Sequence, residues 1–220
     1  MVFLGAAGSA VTAIILRGLV GSAPHLAVKT AARFTDSLCV IDDASDPRGP
    51  AGGPFDAEGW PTLRRTLAQR GELAVDPALW GRPSRVLGPH GLSWRRDLAR
   101  PPVLAPSNVA LVSETQPETN SSGSEAWIAN LKRGFVCDSV TIGALSFDVG
   151  TGVFAVPCSG RLVRGGEVTE RRVRGVLQGS VAELAAGIVD VRPVPGYTPL
   201  ACGIRKTDVF VAHGVSLQSG

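Results

Sequence analysis

The pattern of apolar and polar positions is clearest between residues 151 and 189. Residues 151–156 (Thr-Gly-Val-Phe-Ala-Val) are rich in β-branched and aromatic side chains, which suit a pleated, half-buried strand. Residues 161–164 and 167–170 flank Gly165-Gly166. Two glycines between two short strands predict a two-residue hairpin turn, because both turn positions need φ > 0. Residues 171–178 continue as a further strand. Ser180-Val-Ala-Glu183 then reads as a capping box, in which the Ser180 hydroxyl accepts from a first-turn N–H and Glu183 reaches back. Val181, Leu184, Ala185, Ile188 and Val189 fall on one face of the helix that follows. No side chain in this core has a catalytic character.

The rest of the chain reads as short elements. Residues 1–4 resemble the end of a strand, and Gly8-Ser9 offers an N-cap to a helix with the apolar stripe Val11, Ile14, Ile15 and Leu19. Strands are predicted at 37–41, 62–71, 108–113 and 135–142, with a turn at Gly71-Glu72 and a polar loop at 114–123. Ser124 caps a short helix carrying Trp127, Ile128 and Leu131, with Gly134 at its C′ position. Residues 146–152 and 193–197 read as loops. Residues 207–217 close the chain as one strand whose inner face holds Val209, Val211, His213, Val215 and Leu217, which makes His213 a core or interface histidine. Many short strands with three or four helices give an α+β fold.

Bulk properties change this picture little. A chain of 220 residues with 44% apolar side chains can bury a core without staples. The net charge of +3 comes from scattered arginines; the pairs Arg64-Arg65, Arg95-Arg96 and Arg171-Arg172 read as solvated faces, and nothing forms the basic stripe of a nucleic-acid binder. Cys39, Cys137, Cys158 and Cys202 are widely spaced with no CxxC, so buried reduced thiols are expected. Residues 6–20 are apolar but interrupted by Arg17 and too short to span a bilayer, and the first residues lack the charges of a signal peptide. A soluble cytoplasmic protein with no membrane contact is expected.

Candidate chemistry is sparse. Asp42, Asp43 and Asp46 lack the spacing of a Ca²⁺ loop and read as turn formers. In the stretch 51–59 (Ala-Gly-Gly-Pro-Phe-Asp-Ala-Glu-Gly), Gly52-Gly53 permit tight backbone geometry and Phe55 can anchor the loop. Asp56 and Glu58 either satisfy backbone N–H groups or point outward, where a carboxylate pair can do acid–base work. Residues 76–102 hold Trp80, Arg82, Arg85, His90, Trp94, Arg95 and Arg96. That composition fits a base-stacking surface or a protein interface, and the interface reading is preferred. The three histidines, His25, His90 and His213, have no glutamate beside them and no two are four apart. A hydrolytic zinc site needs three protein ligands and an open position, which this set cannot assemble locally.

Five stretches, in consistent order, resemble the C-terminal domain of the TldD/PmbA family, and specifically its TldE (PmbA) branch. Gly53-Pro-Phe-Asp-Ala-Glu-Gly59 resembles the family's PFDDEG loop, and 67–73 the segment after it. Trp127-Ile-Ala-Asn-Leu-Lys-Arg-Gly134 with its strand, 161–173, and 178–191 resemble the helix–strand unit, the hairpin and the later helix. Cys202-Gly203 sits where the family has a Cys-Gly near its end. The resemblance implies a strongly curved mixed or antiparallel sheet, or partial barrel, with a few flanking helices, as one domain over 1–220 without the family's N-terminal domain. It also implies a role. TldD-type subunits carry an HExxxH zinc motif and a cysteine ligand, whereas TldE-type subunits support the site across a heterodimer interface, and the pair hydrolyses peptide bonds. On that footing the chain has no catalytic, cofactor-binding or metal residue, Cys202 is a structural thiol, and zinc belongs to a TldD-like partner acting on a peptide or small amide. Phe55, Asp56, Glu58, Trp80, His90, Trp94 and Arg95 become candidates for a substrate or partner interface. One departure is that Gly88 to Arg96 poorly match the family's S.TGNA region; shortened members resemble parts of specialised-metabolite pathways. Two other classes remain open: a non-enzymatic, gyrase-modulator-like or DNA-contacting protein, and a thiol hydrolase using Cys137, Cys158 or Cys202 with His213.

Overall fold

The computed structural model describes residues 1–20, 24–34, 38–76, 79–80, 93–94, 101–113, 123–200 and 202–219. In chain order the elements are β1 (Val2–Phe3), α1 (Ala6–Leu19), α2 (Pro24–Ala31), β2 (Leu38–Asp43), β3 (Arg64–Gln69), β4 (Glu72–Leu73), β5 (Ser93–Trp94), β6 (Val103–Leu104) and β7 (Asn108–Ser113). There follow α3 (Glu125–Ala129), β8 (Arg133–Val140), β9 (Ser146–Phe147), β10 (Val153–Arg164), β11 (Glu167–Ser180), α4 (Val181–Gly187), β12 (Ile188–Pro199), β13 (Gly203–Val211) and β14 (Val215–Ser219). The fold is α+β. A 12-stranded mixed sheet runs in the order β14-β11-β10-β8-β1-β13-β7-β2-β3-β4, with β12 beside β13 and β9 beside β10. The β1–β8 and β13–β7 pairs are parallel and the others antiparallel.

The hairpin forms as the glycine pair requires. Gly165 and Gly166 have φ of 58° and 84°, and β10 pairs with β11 from Val153↔Ser180 to Arg164↔Glu167. The four short strands read from sequence are two long ones, because β10 and β11 absorb their irregularity in a bulge and remain paired. At the end of β11, the Ser180 hydroxyl accepts from the Glu183 N–H at 3.3 Å. Glu183 Oε2 in turn accepts from that hydroxyl at 3.0 Å, so the box closes on the side chain and not on the backbone. Val181, Leu184 and Ala185 are fully buried. Val189 departs from expectation: α4 stops at Gly187, and Val189 lies exposed in β12. A Cβ at Gly187 would stand 2.0 Å from the His213 carbonyl oxygen, so the chain must turn there without a side chain.

Helix α1 fills a gap in the sheet. Strand β13 meets β1 at Val209 and Phe210 and meets β7 at Gly203 and Ile204, leaving its edge unpaired between them. Gly8 lies against that edge; a Cβ there would be 1.6 Å from the Thr207 carbonyl oxygen. The Ser9 hydroxyl donates to the Arg205 carbonyl at 3.3 Å, and Asp208 Oδ1 accepts from the Gly5 N–H at 2.7 Å. Gly8-Ser9 is therefore a close-approach pair inside the helix, which starts at Ala6. The predicted stripe holds: Val11, Ile14, Ile15 and Leu19 are buried with Phe3, Leu38, Leu111, Phe154, Leu177 and Leu184 in the main core.

Other local readings shift. Helix α3 ends at Ala129, Asn130 caps it by donating to the Ala126 carbonyl at 2.9 Å, and Gly134 belongs to β8. Trp127 is buried, donates to Asp190 Oδ2 at 3.1 Å and carries the Arg192 guanidinium 4.3 Å from its ring centroid. Residues 193–197 lie within β12, as a register shift in its ladder with β13. The closing strand is two strands turning at Gly214 (φ 86°), which leaves His213 exposed and not in the core. His25 stands exposed in the first turn of α2, against the Gly150 carbonyl at 3.1 Å. Among the described residues, no helix is long and apolar enough to cross a membrane.

Candidate functional site

The stretch singled out at 51–59 is built on a buried polar hub at the ends of β2 and β7. Asp42 is fully buried, and its Oδ1 accepts from the Ser107 N–H (3.0 Å), the Ser107 hydroxyl (2.6 Å) and the Asn108 N–H (2.9 Å). Its Oδ2 has no partner among the described residues. Burial pushes this carboxyl above its ordinary range, outweighing the three donors. Asn108 extends the hub. Its amide donates to the Asp43 carbonyl at 3.2 Å and its oxygen accepts from the Ala51 N–H at 3.1 Å. Side chains are excluded around it: a Cβ at Gly49 would lie 2.2 Å from Asn108 Nδ2, and one at Gly203 would lie 2.3 Å from Asn108 Oδ1. Asp46 binds the Arg48 side chain through both carboxylate oxygens at 2.9 Å and accepts from the Tyr197 hydroxyl at 2.7 Å, tying the loop to β12. The Arg48 guanidinium, with Tyr197, holds the Asp46 carboxyl well below the usual range, and burial beside that carboxylate pushes the Tyr197 phenol up. Asp43 and Asp46 serve local turns, accepting from the Ser45 N–H at 3.1 Å and the Arg48 N–H at 2.9 Å, as the turn-forming reading expected, whereas Asp42 lies within β2 and holds the distant 107–108 backbone.

From this hub a second layer projects. Asp56 is buried, and its Oδ1 accepts from the N–H groups of Glu58 (2.9 Å) and Trp60 (3.0 Å). The Asp56 N–H donates to the Trp60 carbonyl at 2.8 Å, and Gly59 takes the positive φ of 85° that closes the turn. Thr62 pins the far side, donating its N–H to the Pro54 carbonyl at 3.1 Å and its hydroxyl to the Gly53 carbonyl. Asp56 therefore serves the loop's own backbone and is not presented to solvent as an acid–base group, while Glu58 is half-buried. The result is a stiff knuckle whose tip is apolar. Phe55, Trp60 and Leu63 are 59%, 42% and 55% exposed. Trp60 and Leu63 were not singled out from sequence. The available signal was three large apolar residues in a Gly/Pro-rich turn too short to bury them.

The second predicted stretch is only partly in view. Trp80 is half-buried against the main core, and Trp94 is half-buried in β5. His90 and Arg95 lie outside the described residues, as do Arg82, Arg85 and Arg96. Cys202 is half-buried beside Gly203, whose N–H donates to the Ser107 carbonyl at 2.7 Å, so it adjoins the hub. Among the described residues, no three or more His, Cys, Asp or Glu side chains are grouped to hold a metal ion. His25 and His213 are both exposed, with His25 against the Gly150 carbonyl. The described residues do not fit a zinc site.

Residues 31–195 match the PmbA/TldA metallopeptidase C-terminal domain. The chain belongs to the TldD/PmbA family. The matched span takes in the hub's Asp42 and Asn108, the knuckle, the hairpin and α4, but not α1. Solved structures of similar fold include TldE from Thermococcus kodakarensis, with 19% identity and a TM-score of 0.74 over 98% of this chain and 49% of that one. A candidate modulator of DNA gyrase from Bacteroides thetaiotaomicron matches at 19% identity and a TM-score of 0.69, over 100% of this chain and 46% of that one. Another, from Thermotoga maritima, matches at 19% identity and 0.68, over 100% and 49%. The chain thus spans about half the length of these matched proteins. No curated protein sequence matches it.

Proposed function

We propose that this chain is a TldE-like, non-metal subunit that completes the cleft of a TldD-like HExxxH subunit in a heterodimeric zinc peptidase or amidase. The observation that carries the reading is the ligand inventory. A metallopeptidase-family domain with only His25, His90 and His213, none in an HExxxH spacing, has no local means of activating water on zinc. Hydrolysis therefore falls to the partner, and no step of it is assigned to side chains of this chain. Its contribution is shape. The hub and the Asp56 turn hold Phe55, Trp60 and Leu63 in place before binding, so an interface built on them loses little ordering entropy. Large apolar side chains held outward on a stiff loop have the character of interface anchors. The substrate in this reading is a peptide or small amide, and the setting is the cytoplasm.

The test is to purify the chain alone and with a TldD-like partner, then measure bound zinc and amide hydrolysis. The chain alone should carry neither, and the pair both. Stoichiometric zinc with hydrolysis by the isolated chain overturns the proposal. A salt-dependent affinity for duplex DNA in the same preparation would instead support the gyrase-modulator class.

A further inference from the structure

The main strand order ends on β4 at one side and on β14 at the other, and the two ends are finished differently. Strand β4 is two residues long, carries the exposed Glu72 and packs beside α2. Short length, charge and a covering helix are how a sheet edge is kept from pairing with another chain. Strand β14 (Val215–Ser219) has none of these. It pairs with β11 from Gly175↔Ser219 to Gly179↔Val215 without a register shift, and among the described residues no strand pairs with its outer side. Its sequence, Val-Ser-Leu-Gln-Ser, has no charge and no proline. The outward backbone N–H and C=O groups of such an edge are a template for a further strand. Its side chains divide by face. Val215 and Leu217 are half-buried against the main core, and Ser216 and Gln218 are exposed on the opposite face. Leu217 ends a row across the core face, in which Val156 stands opposite Leu177 and Leu177 opposite Leu217. Val156 and Leu177 are fully buried, whereas Leu217 is only half-buried.

We infer that the β14 edge is a self-association surface, on which a second copy of the chain pairs β14 antiparallel to β14 about a two-fold axis through Leu217. Directly opposed residues in a ladder point to the same face, and a two-fold axis between antiparallel strands stands perpendicular to the sheet. The axis must therefore pass through a residue that faces its own copy. Centred on Leu217, the register matches the whole strand: Leu217 with Leu217, Ser216 with Gln218, and Val215 with Ser219. Centred on any other residue of β14, it leaves at least two residues of each strand unmatched. The match brings no like charges together. Leu217 carries the Val156–Leu177–Leu217 row into the second copy and is covered there. On the outer face the Ser216 hydroxyl and the Gln218 carboxamide meet as donor and acceptor. The adjoining part of β11 does not offer the same surface. Its residues 167–174 extend past β14, but they carry Arg171, Arg172 and Arg174 and a register shift in the ladder with β10, features that oppose edge pairing. In the sheet order six strands separate β14 from β2, so the pairing uses none of the residues assigned to a TldD-like partner. A five-residue ladder is a small contact, so a reversible dimer is expected and not a permanent one.

The experiment is sedimentation velocity on the full chain from about 5 to about 500 μM, with amide hydrogen exchange at both ends of that range. The expected result is a monomer that becomes a dimer as concentration rises, with the β14 amides slowed in the dimer and the β4 amides unchanged. Two double variants at exposed positions read the register. Ser216→Glu with Gln218→Glu sets like charges opposite each other twice and should weaken the dimer about tenfold, whereas Ser216→Glu with Gln218→Lys sets opposite charges there and should keep it. The inference is overturned if the chain stays monomeric throughout, if it dimerises with the β14 amides unprotected, or if both variants dimerise to the same extent. It is also overturned if β14 is protected only on mixing with a TldD-like subunit, which would assign the edge to that partner. The exchange pattern of the wild-type chain decides by itself, so a variant that fails to fold does not affect it.

Discussion

The capped hairpin unit (β10, β11, α4) and the loop built on Asn108 share one sheet but are held in opposite ways. The hairpin unit is closed by apolar burial: Phe154, Val156, Leu177, Val181 and Leu184 are each at most 1% exposed. The loop is closed by buried polar groups, with Asp42 and Asn108 each satisfying several donors or acceptors and glycines making room. Apolar burial is non-directional and spread over many contacts, whereas a polar hub is directional and concentrated in few atoms. The apolar unit makes scaffold, and the polar hub lets a loop hold Phe55, Trp60 and Leu63 in solvent without collapsing onto them.

That contrast can be broken or sharpened by substitution. The largest effect should come from Leu184→Ala in the apolar unit, expected to cost about 3 kcal/mol by chemical denaturation; a cost below about 1 kcal/mol would mean α4 is peripheral to the core. Asp42→Ala should cost about 2 kcal/mol, because three buried donors lose their acceptor, while Asp42→Asn keeps that acceptor and should fall within about 1 kcal/mol of wild type. The pair also has a pH signature. Asp42's carboxyl is raised on folding, so the folded state binds its proton more readily than the unfolded chain. Stability from this group is full below the unfolded value, about 3.9, and is lost as pH rises through the raised folded value. Urea midpoints of wild type should therefore fall relative to Asp42→Asn between acidic and neutral pH; parallel curves would count against a buried, raised carboxyl. Tyr197→Phe removes one hydrogen bond to Asp46 and should cost about 1 kcal/mol, with faster proteolysis confined to the 46–59 loop. The smallest stability effect belongs to Phe55→Ala and Leu63→Ala, about 0.5 kcal/mol each. In a partner-binding assay the same two variants should be the most damaging, by about 2 kcal/mol each. Equal loss of stability and binding would show that the knuckle is scaffold and not contact surface.

Much of the apolar unit was legible from neighbouring residues. The Gly-Gly turn, the Ser180–Glu183 box and the α1 stripe are each written within a few positions, and each forms. Errors arose where a residue answers to something distant. Gly8-Ser9 has the chemistry of a cap but is buried against the Thr207 and Arg205 carbonyls. His213 continues an alternating pattern, yet Gly214 turns the chain beside it and leaves it exposed. In the candidate site, Phe55 was expected to anchor the loop but is 59% exposed, and Asp56 is spent on the Glu58 and Trp60 N–H groups. Asn108, the centre of the hub, gave no signal, because its partners at Asp43, Gly49, Ala51 and Gly203 lie far from it along the chain.

By itself, then, the amino-acid order determined the period of the strands and helices, the hairpin turn, the capped helix, the TldD/PmbA-like loop and the lack of an HExxxH motif. These depend on side-chain chemistry and backbone preferences acting over one or two turns of chain. Tertiary structure alone decided which glycines face a carbonyl, which aspartate is buried, which apolar residues stay in solvent, and that a bulge at Asp138 sets Cys137 on the same face of the sheet as Cys158. Those outcomes depend on register and close approach between strands remote in sequence, where a shift of one residue exchanges the inside of the protein for the outside.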